Sequence, residues 1–286
     1  MKKVPTVEDF VKNVQIEHGY IKINKGEFLY SQGNLLQWTG CLLLGLSMDM
    51  GMSYTKFIID SNAFALALQI TQEFKTNNLL KKSVMPRTWS KTDVSKYERK
   101  TDIWREYAGE YWRSEDVSDS QEYYMLAGLL EANTCANRLN RAFRNTFPVE
   151  VLRTLVKNKW RVKGLDLKTN TDNGNFHNFE STGLRKLHLD ILYSNEFGKS
   201  GIGFFSNIIL KFNKYIMTRV HLDPDSDKDT YLNIAIPLYF MGYRSLELKY
   251  FLEEKNKRNL DSWDESYADL EKPIEIYLID NMLKGF

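Results

Sequence analysis

The chain has few of the residues that mark disulfide-linked, loop-rich or strongly charged proteins. Its 286 residues include two cysteines, Cys41 and Cys135, and six prolines. Two cysteines exclude a disulfide framework and a cysteine-based zinc site. Six prolines and 16 glycines argue against a loop-rich β-sandwich. The net charge of +2, with basic residues scattered along the chain, indicates neither a nucleic-acid partner nor a membrane.

Long apolar segments and targeting sequences are also lacking. The most apolar run, residues 35–50, is shorter than the roughly 20 residues that a membrane-spanning helix needs, and Gln37, Thr39 and Asp49 interrupt it. We therefore expect this run to form a helix buried on nearly all sides of a globular core. No apolar stretch follows the charged N-terminal residues, so we expect no signal peptide.

Aromatic residues are abundant, with 16 Phe, 16 Tyr and six Trp making 13% of the chain. Such a chain can bury ample apolar surface, which excludes disorder for most of it. No stretch has the composition of an interdomain linker, so we predict one domain over residues 1–286. Within it we expect an N-terminal extension over 1–30 and a β-hairpin over 21–30, where Asn24-Lys25-Gly26 is typical of a tight turn.

Apolar residues recur at helical spacing along most of the chain, which predicts an all-α fold of helical hairpins with one or two minor β-hairpins. Such hairpins can close into a ring, stack into a solenoid or pack as a bundle, and the pattern leaves these alternatives open. A short strand is expected at 160–167, with loops at 83–101 and 169–175. The predicted helices are 35–49, 62–81, 102–112, 118–143, 148–157, 183–193, 204–220, 230–239 (with a kink or late start at Pro237), 246–255 and 274–284.

Three motifs in the first half of the chain occur in a suggestive order. They are Leu36-Gln37-Trp38-Thr39-Gly40-Cys41-Leu42-Leu43-Leu44-Gly45, then Met85-Pro86-Arg87-Thr88-Trp89, then Asp116-Val117-Ser118-Asp119-Ser120-Gln121. This order resembles phage-encoded proteins of the (α/α) toroid, the six-hairpin fold of many glycoside hydrolases and polysaccharide lyases. The match spans roughly residues 33–131. Ser118-Asp119-Ser120 stands where those proteins have Ser-Arg-Asp, so the basic residue of that motif is missing.

The resemblance implies a toroid that acts on or binds a glycan, as a glycoside hydrolase or lyase of phage origin. The alternative is a non-catalytic phage structural or assembly protein that keeps the toroid, and the missing basic residue favours it. The implied partners are a polysaccharide or surface glycan and other virion proteins, without nucleic acid or membrane. The implied location is the host cytoplasm or the virion. The sequence has no Gly-rich phosphate loop and no zinc-ligand spacing, so we expect neither a cofactor nor a metal.

Glycoside hydrolysis needs two carboxyl groups, one held protonated and one ionised. The candidate catalytic carboxyls are Asp119, Glu106 and Asp116, which lie close together in the sequence around a predicted helix start. The simpler interpretation is that Asp119 favours the positive end of the helix dipole, because Ser118 and Gln121 have the spacing of a capping box.

A lyase would instead need a base and a group that stabilises an enolate. His177 is the candidate base, and Asn178 and Arg87 could supply the stabilising group. Trp89, in a polar loop, is the best candidate for stacking against a sugar ring. The predicted substrate-binding residues are therefore Arg87, Trp89, Gln121 and Asn178. A single loop histidine is more commonly a surface residue without a catalytic role.

Alternating acidic residues at 223–229 are spaced like those of a calcium loop. The sixth position is Lys228 instead of glycine, and the twelfth is Ile234 instead of glutamate, so an EF-hand is excluded. We expect an acidic loop that caps the following helix, with a looser Ca²⁺ site as the alternative.

Overall fold

The computed structural model is predominantly helical, which confirms the predicted helical class. The described residues are 2–25, 28–30, 34–55, 61–76, 88–90, 104–107, 111–114, 119–139, 146–166, 171–178, 183–202, 208, 234–265, 267 and 269–286. Within them the helices are α1 (Val7–Asn13), α2 (Leu35–Thr55), α3 (Ser61–Thr76), α4 (Asp119–Leu139), α5 (Phe147–Lys157), α6 (Gly183–Phe197), α7 (Ile236–Phe240), α8 (Leu246–Ser262) and α9 (Glu271–Lys284).

Helix α2 is the centre of the fold, as its apolar sequence predicts. Every residue from 35 to 47 is buried, because α4 and α9 both pack against this helix. Gly40 lets α4 approach closely, since a Cβ there would overlap the backbone of Tyr124. Gly128 of α4 faces the Gly40 carbonyl in the same way. Farther along α2, a Cβ at Gly45 would lie 2.7 Å from the Tyr277 ring of α9. Small residues thus allow helices to pack against α2 through their backbones.

Three small antiparallel sheets accompany the helices. The first has the order β1-β2-β3, the second β4-β6-β5, and the third pairs β7 with β8. The β2–β3 pair confirms the hairpin predicted over 21–30, and β7 confirms the strand predicted near 160–167. The strands are β1 (Val14–Glu17), β2 (Tyr20–Lys25), β3 (Phe28–Tyr30), β4 (Thr88–Ser90), β5 (Trp104–Tyr107), β6 (Tyr111–Ser114), β7 (Arg161–Asp166) and β8 (Thr171–Asn178).

The sheets correct several sequence predictions. Three small sheets occur where one or two hairpins were expected, and Trp89 lies on β4, inside the segment predicted as a loop at 83–101. Residues 102–112 were expected to be helical but contribute to strands β5 and β6. These short runs are rich in aromatic residues, whose preference for strands outweighs the helical spacing of the apolar positions. The turn-rich loop predicted at 169–175 contains most of β8. Its turn residues 173–175 lie opposite the single residue Gly164, between the Lys163–Phe176 and Leu165–Asp172 pairs. A β-bulge therefore accommodates residues that alone indicate a turn.

The end of α2 and the start of α7 can be compared with the sequence prediction. Helix α2 continues through Gly51 to Thr55, where a break was expected, since one glycine within a helix costs only about 1 kcal/mol. Helix α7 has Pro237 in its first turn, and residues 234 and 235 directly before it are also helical. The predicted helix 204–220 lies outside the described residues apart from Ile208.

The N-terminal segment packs on the helical core. Helix α1 was not predicted, although Thr6 and Asp9 form a capping box at its start. The Phe10 side chain is fully buried, and its ring centroid lies 5.1 Å from that of Tyr277 in α9. The Ile21 N–H of β2 donates to Thr39 Oγ1 of α2 over 3.2 Å. None of the described helices is long and apolar enough to cross a bilayer.

Candidate functional site

A buried polar chain links α4 to α6 and ends at a carboxylate. His188 of α6 is completely buried, and its Nδ1 lies 2.8 Å from the Tyr123 hydroxyl of α4. Its other ring nitrogen, Nε2, lies 3.4 Å from Glu131 Oε1, also on α4. Tyr123 and Glu131 are eight residues apart, about two helical turns, so one face of α4 presents both to the histidine. The Glu131 side chain is 19% exposed, which places the outer end of this chain within reach of solvent.

Burial of Tyr123 keeps its hydroxyl group protonated. Desolvation raises the pKa of Tyr123 well above its ordinary value, with the neighbouring Tyr124 hydroxyl adding to the effect. Tyr123 therefore keeps its O–H at physiological pH. In the tautomer that carries its proton on Nε2, His188 accepts this O–H at Nδ1 and donates its Nε2–H to Glu131.

Glu131 and His188 border an open cleft of about 810 Å³ between α4, α5, α6 and α7. Helical spacing explains the lining, because residues three, four, seven and eight positions apart share one helix face. Helix α4 presents such a stripe from Leu130 to Arg138, and α6 presents one from His188 to Glu196. The lining residues are Leu130, Glu131, Asn133, Thr134, Asn137, Arg138, Val149, Leu152, His188, Ile191, Leu192, Asn195, Glu196 and Phe240.

The cleft combines amide groups with one aromatic face. Asn133, Asn137 and Asn195 each carry an amide, which both donates and accepts hydrogen bonds. The Asn137 Oδ1 atom is buried without a hydrogen-bond partner. Phe240 stacks on the His188 ring, with a centroid distance of 5.8 Å and an interplanar angle of 26°. A lining with amide groups and an aromatic ring suits a ligand with both hydroxyl groups and C–H faces.

The charge of Glu131 also affects Cys135, one turn farther along α4. Burial, with a smaller effect from the Glu131 carboxylate, raises the pKa of the Cys135 thiol to about 11, and Arg138 opposes this rise. The thiol donates to the Ser47 carbonyl of α2 over 3.2 Å. Cys135 is therefore a protonated structural thiol at neutral pH.

The residues that the sequence predicts for the site lie on separate elements. The strand register aligns Trp89 of β4 with Trp112 of β6, and Trp112 with Glu106 of β5. Trp89 and Glu106 therefore belong to one row of a small sheet. Asp119 is the first residue of α4, in agreement with the predicted helix start. Asp116 and Arg87, like the acidic loop 223–229, lie outside the described residues.

His177 and Asn178 are strand residues, although the sequence placed them in a turn-rich segment. Both lie on β8, in register with Val162 and Arg161 of β7. Gln121 is only 3% exposed, and its Nε2 donates to Asn34 Oδ1 over 3.0 Å. That hydrogen bond connects α4 to the residue before α2. It places Gln121 in the helix interface, away from the residues that line the cleft.

Sequence analysis missed Glu131 and His188. Both occur on amphipathic helices, where polar residues normally indicate a solvated face. One indication was present, because His188 follows Leu187 and precedes Leu189 in a run with strong apolar periodicity. A histidine in such a run faces the core and requires a polar partner there.

No group of three or more His, Cys, Asp or Glu residues that could hold a metal ion occurs in the described part of the chain. No family model, no curated protein and no solved structure matches this sequence.

Proposed function

We propose that this chain is a toroid protein of phage type that binds a glycan in the cleft of α4, α5, α6 and α7 and hydrolyses it. The observation that carries this proposal is the cleft lining, in which three asparagines on two helices, Asn133, Asn137 and Asn195, supply amide groups beside the carboxyl groups of Glu131 and Glu196. Such amide groups both donate and accept hydrogen bonds, as the hydroxyl groups of a sugar do. The volume of about 810 Å³ also falls within the usual range of about 300–1,000 Å³ for ligand sites.

Two carboxyl groups line the cleft, as glycoside hydrolysis requires. In the proposed reaction Glu131 takes a proton from a water molecule, and the water oxygen bonds to the anomeric carbon. The glycosidic C–O bond breaks, and the leaving oxygen takes a proton from the carboxyl group of Glu196 across the cleft. Proton exchange with solvent then restores both groups. General acid–base catalysis of this kind contributes about 10²–10⁴-fold to a rate.

His188 and Tyr123 act as positioning residues in this proposal. His188 is completely buried, so it acts on the substrate only through Glu131. Its Nε2–H fixes the orientation of the carboxylate, and the Tyr123 hydroxyl fixes the histidine tautomer. This arrangement resembles the general logic of a base that a buried partner orients.

The test is a screen of bacterial surface polysaccharides for new reducing ends, with the unmodified chain and the Glu131→Gln and Glu196→Gln variants. Glu253→Gln is the matched control, because Glu253 is an exposed helical glutamate on α8, away from the cleft. We expect Glu131→Gln to lower cleavage by about 10²-fold or more while Glu253→Gln is unaffected. Asp119→Asn and Glu106→Gln test the sequence-predicted acids in the same assay. Cleavage that Glu131→Gln leaves unchanged would contradict the role of Glu131.

The alternative function is that of a non-catalytic phage structural or assembly protein. The observation that favours it is the Tyr123–His188–Glu131 chain itself, because a buried polar network also fixes two helices in register. A purely structural role predicts that Glu131→Gln lowers the free energy of unfolding and that no polysaccharide binds. The catalytic role predicts lost cleavage with binding retained.

A further inference from the structure

A second, smaller cavity adjoins the cleft. It has a volume of about 300 Å³ and lies between α2, α4, α7 and α9. Its lining residues are Met48, Gly51, Met52, Glu131, Tyr239, Phe240, Gly242, Arg244, Asn281 and Gly285. We call the first cleft the main compartment and this cavity the side compartment.

The two compartments share two lining residues, Glu131 and Phe240. The acid–base residue of the proposed function thus lies at their junction, together with the aromatic ring. Both compartments are open to solvent. A ligand that extends past Glu131 on one side therefore finds a second recess on the other side, instead of a closed wall.

Two acidic and two basic residues line the two compartments, so their charges balance. The main compartment has Glu131, Glu196 and Arg138, and the side compartment adds Arg244. Arg244 is already engaged, because its guanidinium stacks 3.5 Å above the Tyr239 ring and donates to the Tyr239 and Tyr243 carbonyls. A strongly anionic polymer gains little from such a lining, whereas a neutral chain needs no counter-charge.

We propose that the ligand is a linear, neutral oligosaccharide chain that occupies both compartments and crosses the junction at Glu131 and Phe240. This inference rests on the proposed function, and it specifies how the ligand lies in that site. Sugar units on both sides of Glu131 place the bond to be cleaved inside the chain. Hydrolysis therefore releases oligosaccharides and not single sugars.

Gly51 offers a way to close the side compartment selectively. It lies on α2, and a Cβ built there meets no atom within 4 Å, so the helix accepts a larger side chain at this position. Gly51→Trp adds a large side chain at a position that lines the side compartment and does not line the main compartment. Gly51→Ala is the matched control, because it makes the same backbone change without filling the space.

The experiment measures by calorimetry the binding of cello-, malto-, laminari- and chito-oligosaccharides of two, four and six units to the Glu131→Gln chain. We expect binding to strengthen by about tenfold or more between two and six units in the series that binds. Gly51→Trp, added to this background, should abolish that gain with length. Gly51→Ala should preserve it.

The outcomes separate the two proposals. Equal affinity for two and six units, or a gain with length that survives Gly51→Trp, overturns the two-compartment inference and leaves the proposed function standing. Binding only to anionic polysaccharides in the screen overturns the inference of a neutral ligand. If no glycan of either charge class binds, the proposed function fails, and this inference fails with it.

Discussion

At the scale of single residues, Tyr123 is the residue that determines the state of the polar chain. Replacing it with phenylalanine removes one hydroxyl and leaves His188 Nδ1 buried without its partner. We expect Tyr123→Phe to lower the free energy of unfolding by about 1–3 kcal/mol. We also expect His188 to lose its preference for the Nε2–H tautomer, because the donor that fixes it is gone.

Nitrogen-15 NMR of the imidazole ring measures this tautomer directly. Tyr250→Phe is the control, since the Tyr250 side chain is 56% exposed on α8. If catalysis is present, the loss in Tyr123→Phe should fall on kcat more than on KM, since the hydroxyl does not touch the substrate. A tautomer that Tyr123→Phe leaves unchanged would show that Tyr123 does not position His188.

The Cys135 thiol makes the free energy of unfolding depend on pH in the alkaline range. Its pKa rises from 9.0 to about 11 on folding because burial disfavours the thiolate. The folded state thus holds this proton more tightly, so the contribution is complete below pH 9 and is lost as pH rises toward 11. Two pH units at about 1.4 kcal/mol each correspond to about 3 kcal/mol at most.

Urea unfolding at pH 8 and at pH 10.5 tests this expectation. Cys135→Ser keeps a donor for the Ser47 carbonyl but does not titrate in this range. The advantage of the unmodified chain over Cys135→Ser should therefore shrink by about 2 kcal/mol at the higher pH. The contributions of Tyr123 and Tyr267 are common to both chains and cancel. A difference that stays constant with pH would contradict the raised thiol pKa.

At the scale of elements, the crossing of α2 and α4 depends on two glycines. A Cβ at Gly40 would overlap the Tyr124 backbone, which cannot rotate away as a side chain can. We expect Gly40→Ala and Gly128→Ala each to lower the free energy of unfolding by about 3 kcal/mol. Gly51→Ala, on the same helix α2 but facing open space, should raise it by about 0.5–1 kcal/mol.

Chemical denaturation of these three variants gives the comparison. Gly40 and Gly51 share helix α2, so helix propensity favours alanine equally at both positions. The difference in the free energy of unfolding between Gly40→Ala and Gly51→Ala therefore measures the cost of disturbing the close approach of α2 and α4. Equal effects of Gly40→Ala and Gly51→Ala would mean that α2 and α4 do not pack through their backbones.

Helix α2, with its long apolar pattern, was predictable from the sequence, and the short strands β5 and β6 were not. Helix α2 is recognisable because its apolar residues cover its whole circumference and must be buried on every side. Strands β5 and β6 escaped prediction because each has four residues, too few to distinguish a period of two from a helical face. The register of β8, with its bulge at 173–175, depends on β7 and therefore on contacts outside the segment.

At the scale of the whole molecule, the candidate site also depends on contacts between segments that are distant in the sequence. The sequence places its candidate catalytic carboxyl groups near one another along the chain, around 106–119, and its candidate base at His177. The cleft instead combines α4, α5, α6 and α7, which span more than 100 residues of sequence. Asn137 and Glu196 become neighbours of one cavity only through packing that no local pattern encodes.

The central claim is that the glycan lies in the cleft lined by α4 and α6 and not on the sheet of β4, β5 and β6. A two-dimensional NMR titration of the isotope-labelled chain with the polysaccharide it binds tests this claim most directly. We predict the largest shifts at the side-chain amides of Asn137 and Asn195 and at backbone amides of 130–138 and 188–196. Largest shifts at 88–90, 104–114 and 171–178, with those asparagines unmoved, would contradict the claim and favour the strand residues Trp89, Glu106 and His177.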